Sequence, residues 1–175
     1  MMPAAIKIYT DGACIGNPGP GGFAGVIIVG ESVHKVRGRE KRTTNSRMEI
    51  RAVTESLSYL DSIPEADGAE ITVYSDSRYV VDAFNQDWLS KWRRNGWRTS
   101  KKQRVKNQDL WRELHGMVHN KDISFRWVAG HDHDQTNDLC DRIARSEARK
   151  VRDDAAITSS DGDEPSHHIT QRRLL

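Results

Sequence analysis

Four acidic residues stand where their carboxylates can reach one site. Asp11 and Asp76 each directly follow a run of residues that predicts a strand, and ligands of open α/β sheets gather outside the carboxyl ends of the strands. Glu49 lies three and four residues before apolar positions of a predicted helix, and Asp141 lies three and seven residues before alanines of another. Both acids therefore border apolar helix faces, where unpaired carboxylates are rare. For either aspartate alone, an ordinary turn or helix-cap role is the alternative.

The chemistry of such a cluster is that of a metal site. Converging carboxylates repel one another and take up protons unless cations neutralise them, and hard oxygen ligands select Mg²⁺ or Mn²⁺. Two such ions about 3.5–4 Å apart activate a water molecule and stabilise the departing oxygen in a phosphoryl displacement. The acids therefore predict metal-dependent hydrolysis of a phosphodiester. Their spacing alone leaves open whether the four side chains meet in space.

A histidine adds a candidate proton carrier. His131 follows Gly130 in a polar loop directly after the last predicted strand. A mobile imidazole there is suited to acid–base assistance, which contributes about 10²–10⁴-fold to a rate. An exposed loop histidine without a catalytic role is the alternative. A zinc site on His131, Asp132, His133 and Asp134 is disfavoured because no spaced Cys and His residues complete it.

The sharpest charge feature is the segment 88–107. It contains eight Lys or Arg residues and three of the five Trp residues, and it contains no acid. Basic residues interleaved with aromatics are typical of phosphate-backbone binding, with the Trp residues either packing the segment or lying against sugars and bases. A solvated basic loop anchored by Trp is the alternative.

Residues 12–22 are rich in Gly and Pro and superficially resemble a phosphate-binding loop. However, the chain contains no Gly-Lys dipeptide, and the pattern Gly-x-Gly-x-x-Gly is absent after the first predicted strand. Nucleotide cofactors are therefore not indicated. The small residues instead predict a tight turn beside Asp11, where a bulky polymer can approach the backbone.

Hydrophobic periodicity predicts the elements that must position these residues. Three meandering strands come first, followed by alternating helices and strands, a pattern that predicts an α/β class with a mixed sheet and helices packed on it. The segment 88–107 is expected to be irregular. The predicted strands are 6–10, 23–29, 32–39, 69–75 and 123–128, and the predicted helices are 44–60, a short one after residue 76, 109–119 and 138–152.

Length and composition set the domain organisation. A chain of 175 residues predicts one domain with some surplus. Residues 1–152 carry a net charge of +5 and form the predicted domain, whereas 153–175 contain five acids, two arginines and few large apolar residues. Such a composition predicts a disordered acidic tail, because it buries too little apolar surface to offset the entropy of ordering.

Composition also indicates in which cellular compartment the protein is expected. The two cysteines form neither a disulfide framework nor a paired zinc motif, which favours a reducing, cytoplasmic location. No secretory signal is readable at the start of the sequence. The longest uncharged run, 12–30, has nine Gly or Pro among its 19 residues, which excludes a membrane-spanning helix.

Taken together, the motifs resemble type 1 ribonuclease H over residues 5–150, in the family's order. The resemblance implies a ribonuclease H-like fold with a five-stranded mixed sheet. It also implies endonucleolytic cleavage of the RNA strand of RNA/DNA hybrids, leaving 5′-phosphate and 3′-hydroxyl ends. The motifs are Thr10-Asp11-Gly12, the turn 16–22, the segment 43–49, Ser75-Asp76-Ser77, Val105-Lys106-Asn107, Gly130-His131, and Asn137 with Cys140-Asp141.

The resemblance also implies roles for individual residues. Asp11, Glu49, Asp76 and Asp141 match the family's catalytic acids, which bind two Mg²⁺ or Mn²⁺ ions, and His131 matches its proton-shuttling, product-releasing histidine. The minor groove of a hybrid is where 2′-hydroxyls distinguish RNA. The positions that match nucleic-acid contacts are Gly12 beside Asp11, Arg42, Thr44 and Asn107 in a pocket for a DNA phosphate, Cys14, Asn17, Asn45, Ser46 and Arg78 near the minor groove, and Trp88, Trp92, Arg93, Arg94 and Trp97 in a basic protrusion, 88–102, that holds the DNA strand.

Three departures from the family pattern matter. Ser46 and Arg78 stand where amide side chains are common, so we expect shorter or more ionic groove contacts and relaxed discrimination between substrates. Asp132 and Asp134 place negative charge beside His131, which favours protonation of its imidazole or attracts metal.

Two other functions stay open. One is a non-catalytic hybrid- or duplex-binding protein that uses the basic protrusion alone, against which the intact acids argue. The other is a metal-dependent nuclease of related architecture that cuts DNA, against which Asn17, Asn45 and the protrusion argue. Nothing in the sequence indicates an oligomer, so a monomer is expected.

Overall fold

The computed structural model describes residues 4–130 and 134–160. The strands are Ala5–Cys14 (β1), Gly19–Val29 (β2), Ser32–Thr43 (β3), Glu70–Ser75 (β4) and Asp122–Trp127 (β5). The helices are Asn45–Leu60 (α1), Arg78–Asn85 (α2), Trp88–Arg94 (α3), Gln108–Val118 (α4) and Gln135–Ser160 (α5), with a 3₁₀ turn at Pro64–Ala66.

The five strands form one mixed sheet in the order β3-β2-β1-β4-β5. β1, β2 and β3 form an antiparallel meander, whereas β4 runs parallel to β1 and β5 runs parallel to β4. The predicted fold class is confirmed. Thr10 and Ser75 are the last register pair between β1 and β4. Asp11 and Asp76 are the residues that directly follow this pair and therefore lie side by side.

The helices cover both faces of the sheet. Ile6 of β1 lies in the larger core, together with Leu57 of α1 and Trp111 of α4. Tyr9 packs against a second core that contains Ile143 of α5. Because successive side chains of a strand point to opposite faces, α1 and α4 lie on one face and α5 lies on the other. The carboxyl edge of β1 and β4 is therefore accessible to residues from both faces.

Helix α1 begins directly against β1. The Thr44 hydroxyl caps the helix by accepting a hydrogen bond from the backbone N–H of Arg47 at 3.3 Å. A Cβ at Gly12 would collide with the backbone nitrogen of Glu49. The absence of a side chain at Gly12 thus brings Glu49 next to Asp11.

The first strand is longer than its sequence pattern predicts. β1 continues to Cys14 because its antiparallel pairing with β2 extends to the Cys14–Gly21 pair. Asp11 is therefore inside β1, where it lies opposite Ala24 of β2. The prediction that Asp11 follows the end of the strand is correct only for the pairing of β1 with β4, which ends at Thr10. The Gly- and Pro-rich composition of 12–22 hides this extension, since pairing in the sheet outweighs weak local strand propensity.

The segment 88–107 is partly ordered, which corrects the expectation of an irregular loop. Residues Trp88–Arg94 form α3, and Arg98 pairs with Arg104 in an isolated antiparallel bridge. The helix forms because the apolar residues at 88, 89 and 92 share one face and pack on the larger core. The density of positive charge concealed this short amphipathic pattern.

The last helix is longer than predicted at both ends. α5 starts at Gln135 and ends at Ser160, so the expected boundary at 152 falls inside it, and residues 153–160 are helical. No Gly or Pro interrupts this stretch, and the hydroxyls of Thr158 and Ser159 donate to the carbonyls of Asp154 and Ala155. Residues 161–175 of the predicted tail lie outside the described residues. Within the described ranges, no helix has the length and apolar character needed to cross a membrane.

Candidate active site

Asp11 is the most buried of the four acids, with 6% of its surface exposed. Burial, together with the negative charges of Asp76, Asp141 and Glu49, raises the pKa of its carboxyl to about 8. A hydrogen bond of 2.8 Å from the backbone N–H of Gly12 to Asp11 Oδ1 opposes these effects. The fold therefore holds a carboxyl group where ionisation is unfavourable unless a cation is nearby.

Glu49 is held from two sides. Asn45 Nδ2 donates to its Oε1 at 2.7 Å, and Ser77 Oγ donates to its Oε2 at 2.6 Å. Burial raises the pKa of the Glu49 carboxyl, the charge of Asp76 adds to this, and the two hydrogen bonds lower it. The prediction that Glu49 borders a buried face agrees with these contacts, which orient the carboxylate toward the strand ends.

Asp76 and Asp141 approach from different elements. The Asp76 carbonyl accepts a hydrogen bond of 3.1 Å from Trp127 Nε1, and a Cβ at Gly130 would stand 3.0 Å from Asp76 Oδ2. Asp141 lies on α5, where its Oδ1 accepts a hydrogen bond of 2.7 Å from Arg145 Nε. Its side chain is 38% exposed. The acidic group thus combines β1, β4, α1 and α5.

The structure places the four acids close enough for their charges to interact at Asp11. Within residues 4–130 and 134–160, however, no three His, Cys, Asp or Glu side chains are arranged as ligands of one ion. The oxygen donors suit a hard divalent cation. Asp141 and Glu49 are meanwhile engaged by Arg145, and by Asn45 and Ser77.

His131, the candidate proton carrier, lies outside the described residues, as do Asp132 and His133. The flanking residues are described. Gly130 lies against the Asp76 carboxylate, and Asp134 Oδ1 accepts hydrogen bonds from the backbone N–H groups at 136 and 137, at 2.9 and 3.3 Å. Asp134 therefore caps the first turn of α5 in addition to placing charge next to this loop.

The proposed minor-groove residues border the acidic group. Asn17 Oδ1 accepts a hydrogen bond of 3.0 Å from the backbone N–H of Asn45, which joins the β1–β2 turn to the start of α1. Cys14 is half-buried, and its thiol donates to the carbonyls of Gly19 and Thr43 at 3.5 and 3.3 Å. Ser46 is half-buried on the first turn of α1. This surface is continuous with the four acids through the hydrogen bond from Asn45 to Glu49.

Arg78 is the first residue of α2 and follows Asp76 by two positions. Its guanidinium carbon stands 3.8 Å from the centre of the Trp127 ring, a cation–π geometry. The side chain is exposed. Arg78 thus presents a positive charge on a fixed aromatic platform.

The candidate phosphate pocket is bridged by a residue that the sequence reasoning missed. Arg42 is exposed, and Asn107 stands at the start of α4. Arg47 Nη1 donates to Asn107 Oδ1 at 3.5 Å, and the Arg47 guanidinium binds both oxygens of Asp109 at 3.0 and 2.8 Å. These contacts bring Asn107 to the first turn of α1, where Thr44 is the cap.

The Trp residues of the protrusion pack against one another and the core. Trp92 has ring-centre distances of 5.9 Å to Trp88, 6.5 Å to Trp97 and 5.8 Å to Trp111. Trp97 is only 8% exposed. Of the two roles that the sequence left open for these residues, packing is the one that the structure shows for Trp97.

The charges of the protrusion face solvent. Arg93 and Arg94 are exposed, and the ion pairs of the described residues involve none of the eight Lys and Arg residues of 88–107. Packed Trp residues next to exposed cations that form no ion pair among the described residues give a positively charged surface suited to a polyanion.

Sequence reasoning also missed Ser77 and Arg145, which hold Glu49 and Asp141. Both had a local signal. Ser77 has a residue type common at helix N-termini and follows Asp76 directly. Arg145 stands four residues after Asp141, the spacing at which helix side chains meet.

The strand order, with acids directly after the last register pair of the parallel strands β1 and β4 and on the first turns of α1, defines a protein of the ribonuclease H-like fold. The family model RNase H matches residues 3–149. The chain belongs to the ribonuclease H family, and to its type 1 branch.

The chain is similar to individual proteins of known name. Ribonuclease H of Caldicellulosiruptor saccharolyticus is 44% identical over 147 residues, which cover 84% of this chain and 98% of the relative. LC9-RNase H1, a type 1 RNase H with the type 2 active-site motif, superposes with a TM-score of 0.75 at 26% identity, over 86% of this chain and 74% of that one. LC11-RNase H1, solved in complex with an RNA/DNA hybrid, has a TM-score of 0.63 at 20% identity, over 84% of this chain and 99% of that one.

Proposed function

We propose that this protein hydrolyses the RNA strand of RNA/DNA hybrids endonucleolytically, with two divalent metal ions, and leaves 5′-phosphate and 3′-hydroxyl ends. The observation that carries the proposal is the buried Asp11 carboxyl, whose pKa three neighbouring acids raise together with burial. Membership of the ribonuclease H family and the hybrid bound to LC11-RNase H1 support the choice of substrate.

The residues fit a divalent metal in their chemistry. Ribonucleases H are generally dependent on divalent metals, and Asp11, Glu49, Asp76 and Asp141 offer the oxygen ligands that Mg²⁺ or Mn²⁺ prefers. When bound, two such ions lower the pKa of an attacking water and stabilise the leaving oxygen. Asn45 and Ser77 orient Glu49, and the Gly12 N–H orients Asp11. These donors lower the pKa of the two buried carboxyls in part and orient them, and a bound cation would favour their ionised form.

His131 is proposed to carry protons and assist product release. Its loop begins at Gly130, which lies against Asp76, so the histidine follows a residue in contact with the acidic group. The capping role of Asp134 anchors the other end of the loop.

Substrate contacts are proposed on both sides of the acids. The minor groove of the hybrid would be contacted by Asn17, Asn45, Cys14, Ser46 and Gly12, and by Arg78 at the start of α2. Residues Arg42, Thr44 and Asn107 would bind a DNA phosphate, and Arg93 and Arg94 of the protrusion would hold the same strand. The Trp88, Trp92 and Trp97 rings support this surface from below.

The decisive experiment is cleavage of an RNA-labelled hybrid, with duplex RNA and duplex DNA of the same sequence as matched substrates. Wild type and Asp11→Asn are compared with Mg²⁺, with Mn²⁺ and with EDTA. We expect metal-dependent cutting of the hybrid's RNA strand alone, lost in Asp11→Asn. Extension of the fragments by a polymerase that needs a 3′-hydroxyl checks the chemistry of the ends. Hybrid binding without cleavage in either metal would instead support the non-catalytic alternative, and cutting of duplex DNA would support the DNA nuclease.

The proposal also takes the enzyme to be a cytoplasmic monomer. Cys14 and Cys140 are free thiols in the structure, which supports a reducing compartment. Light scattering after size-exclusion chromatography tests the monomer directly, with a mass near 19.9 kDa expected.

A further inference from the structure

A groove of about 380 Å³ leads away from the acidic group along α5. One wall consists of residues 12–15 of β1 and the adjoining turn, together with Asn45, and the other consists of α5 side chains. Asp141 lies at the groove, followed along the helix by Arg145, Arg149 and Arg152. The groove is therefore acidic where it joins the catalytic residues and basic beyond them.

The basic wall is built by helical spacing. Residues 145, 149 and 152 lie four and three positions apart, so their side chains share one face of α5. Arg145 pairs with Asp141, and Arg152 pairs with the exposed Asp153 at 3.0 Å. Arg149 is exposed and forms no ion pair with any described residue. At least one full positive charge in the groove thus lacks a protein counter-charge among the described residues.

The helix that carries this wall is held closely against the sheet. A Cβ at Gly22 of β2 would collide with the carbonyl of Ala144 and stand 2.7 Å from the backbone nitrogen of Ala148. This contact fixes the distance between α5 and the β1–β2 hairpin. The groove is therefore a built feature of the fold.

The arginine wall and the protrusion lie on opposite faces of the molecule. The protrusion packs through Trp92 on Trp111 of α4, in the same core as α1, whereas α5 covers the other face of the sheet. The acidic group lies at the edge between them. A hybrid spanning the acids would therefore meet positive charge on both sides, with one strand nearer each.

We propose that Arg149 and Arg152 bind phosphates of the RNA strand beyond the cleavage site, while the protrusion holds the DNA strand. This inference rests on the proposed function, because the strand that passes Asp141 is the one to be cut. At a rise of about 1.5 Å per residue, Arg149 and Arg152 lie about 12 and 16 Å from Asp141 along α5. At about 3.4 Å per nucleotide, this corresponds to roughly three to five nucleotides from the cut.

The test measures binding of a short hybrid by Arg149→Gln/Arg152→Gln, in an Asp11→Asn background that leaves the hybrid intact. The matched control is Lys35→Gln/Arg37→Gln, which removes the same charge from exposed positions of β3 outside the groove. Three hybrids are used: unmodified, with neutral methylphosphonate linkages in the RNA strand, and with the same linkages in the DNA strand. The linkages stand three to five nucleotides from the centre, and each affinity is measured between 50 and 300 mM salt.

We expect each lost phosphate contact to weaken binding about 5- to 8-fold at 0.1 M salt and to reduce the log–log salt slope by about 0.7–0.9. Neutral linkages in the RNA strand should weaken hybrid binding by the parent Asp11→Asn protein. They should leave the affinity of the arginine variant unchanged. The control pair should behave as the parent does.

Two results would overturn the inference: an arginine variant that binds as the control does, or one whose loss is mimicked by neutral linkages in the DNA strand. The proposed function fails separately, when the unmutated protein with Mg²⁺ or Mn²⁺ leaves the hybrid uncut. Cleavage by wild type together with unchanged binding by the arginine variant rejects the groove alone.

Discussion

Ser77 Oγ donates a hydrogen bond of 2.6 Å to Glu49 Oε2, and it also accepts one of 3.3 Å from the backbone N–H of Val80. One hydroxyl therefore caps α2 and holds a carboxylate at the start of α1. Through Ser77, the two helix ends that flank the acidic group are tied together. The positions of Glu49 and Asp76 are coupled as a result, because Asp76 precedes Ser77 directly.

Ser77→Ala should damage both functions of this hydroxyl. We expect a loss of about 1 kcal/mol in stability from the missing cap and a roughly tenfold fall in kcat for hybrid cleavage, since removing the hydrogen bond raises the pKa of Glu49 and frees its carboxylate. Ser77→Thr keeps the hydroxyl and is the control. Steady-state kinetics and thermal melting measure the two effects. A kcat that stays at the wild-type value in Ser77→Ala would show that Asn45 alone positions Glu49.

Asp11→Asn should stabilise the metal-free protein in a pH-dependent way. The pKa of Asp11 in the folded protein, about 8, lies above the usual aspartate value of 3.8. Between these two pH values the folded protein therefore keeps a proton on Asp11 that the unfolded chain releases. Stability from this group is complete at low pH and is lost as the pH rises toward 8. We expect Asp11→Asn to raise the Tm in EDTA by several degrees at pH 8, at about 2–4 °C per kcal/mol for a chain of this length, and by much less at pH 4.5. Equal shifts at both pH values would contradict the burial of an ionised carboxylate.

Gly12→Ala should separate α1 from β1. The added methyl group would collide with the backbone nitrogen of Glu49, and neither element can move without losing core contacts. We expect a destabilisation of about 2 kcal/mol or more, together with loss of cleavage. Gly116→Ala is the matched control, because nothing lies within 4 Å of its Cβ position on α4, and it should stabilise the helix by about 0.5–1 kcal/mol. Urea unfolding measures the free energy of unfolding of both variants, which should fall in Gly12→Ala and rise in Gly116→Ala.

Substitutions of Trp97 and Arg94 should distinguish a residue that stabilises the protrusion from one that binds the hybrid. Trp97 is buried against Trp92, and the guanidinium carbon of Arg112 lies 5.1 Å from its ring centre, so Trp97→Ala should cost about 3 kcal/mol. Arg94→Gln should leave unfolding unchanged and weaken hybrid binding, with a smaller salt slope. Unfolding curves and binding at several salt concentrations test both variants. Unchanged stability in Trp97→Ala would mean that its ring contacts the nucleic acid instead of the core.

The sequence by itself determined the elements and the residue types of the site. Alternation and capping residues are local, so the sequence predicted a helix over 44–60 and a strand over 69–75; the structure has α1 at Asn45–Leu60, capped by Thr44, and β4 at Glu70–Ser75. The carboxylate pattern predicted metal chemistry because four acids, two of them bordering apolar helix faces, would repel one another without cations, whereas one aspartate at a strand end has an ordinary turn or cap role as its alternative. The helix Trp88–Arg94 and the extension of α5 to Ser160 were missed, since charge obscured a short apolar face in one and composition favoured a tail in the other.

Only the tertiary structure decided which residues share one site. Asp11 and Asp76 become neighbours because β1 pairs with β4 in parallel, and no local pattern encodes a pairing between strands so far apart in the chain. The same is true of the hydrogen bond from Ser77 to Glu49 and of the contact by which Arg47 joins α1 to the start of α4. It is also true of the groove in which α5 arginines face residues 12–15. Side-chain periodicity determines whether a segment forms a helix or a strand. Strand order and the close packing at Gly12 and Gly22 determine which other segments it contacts.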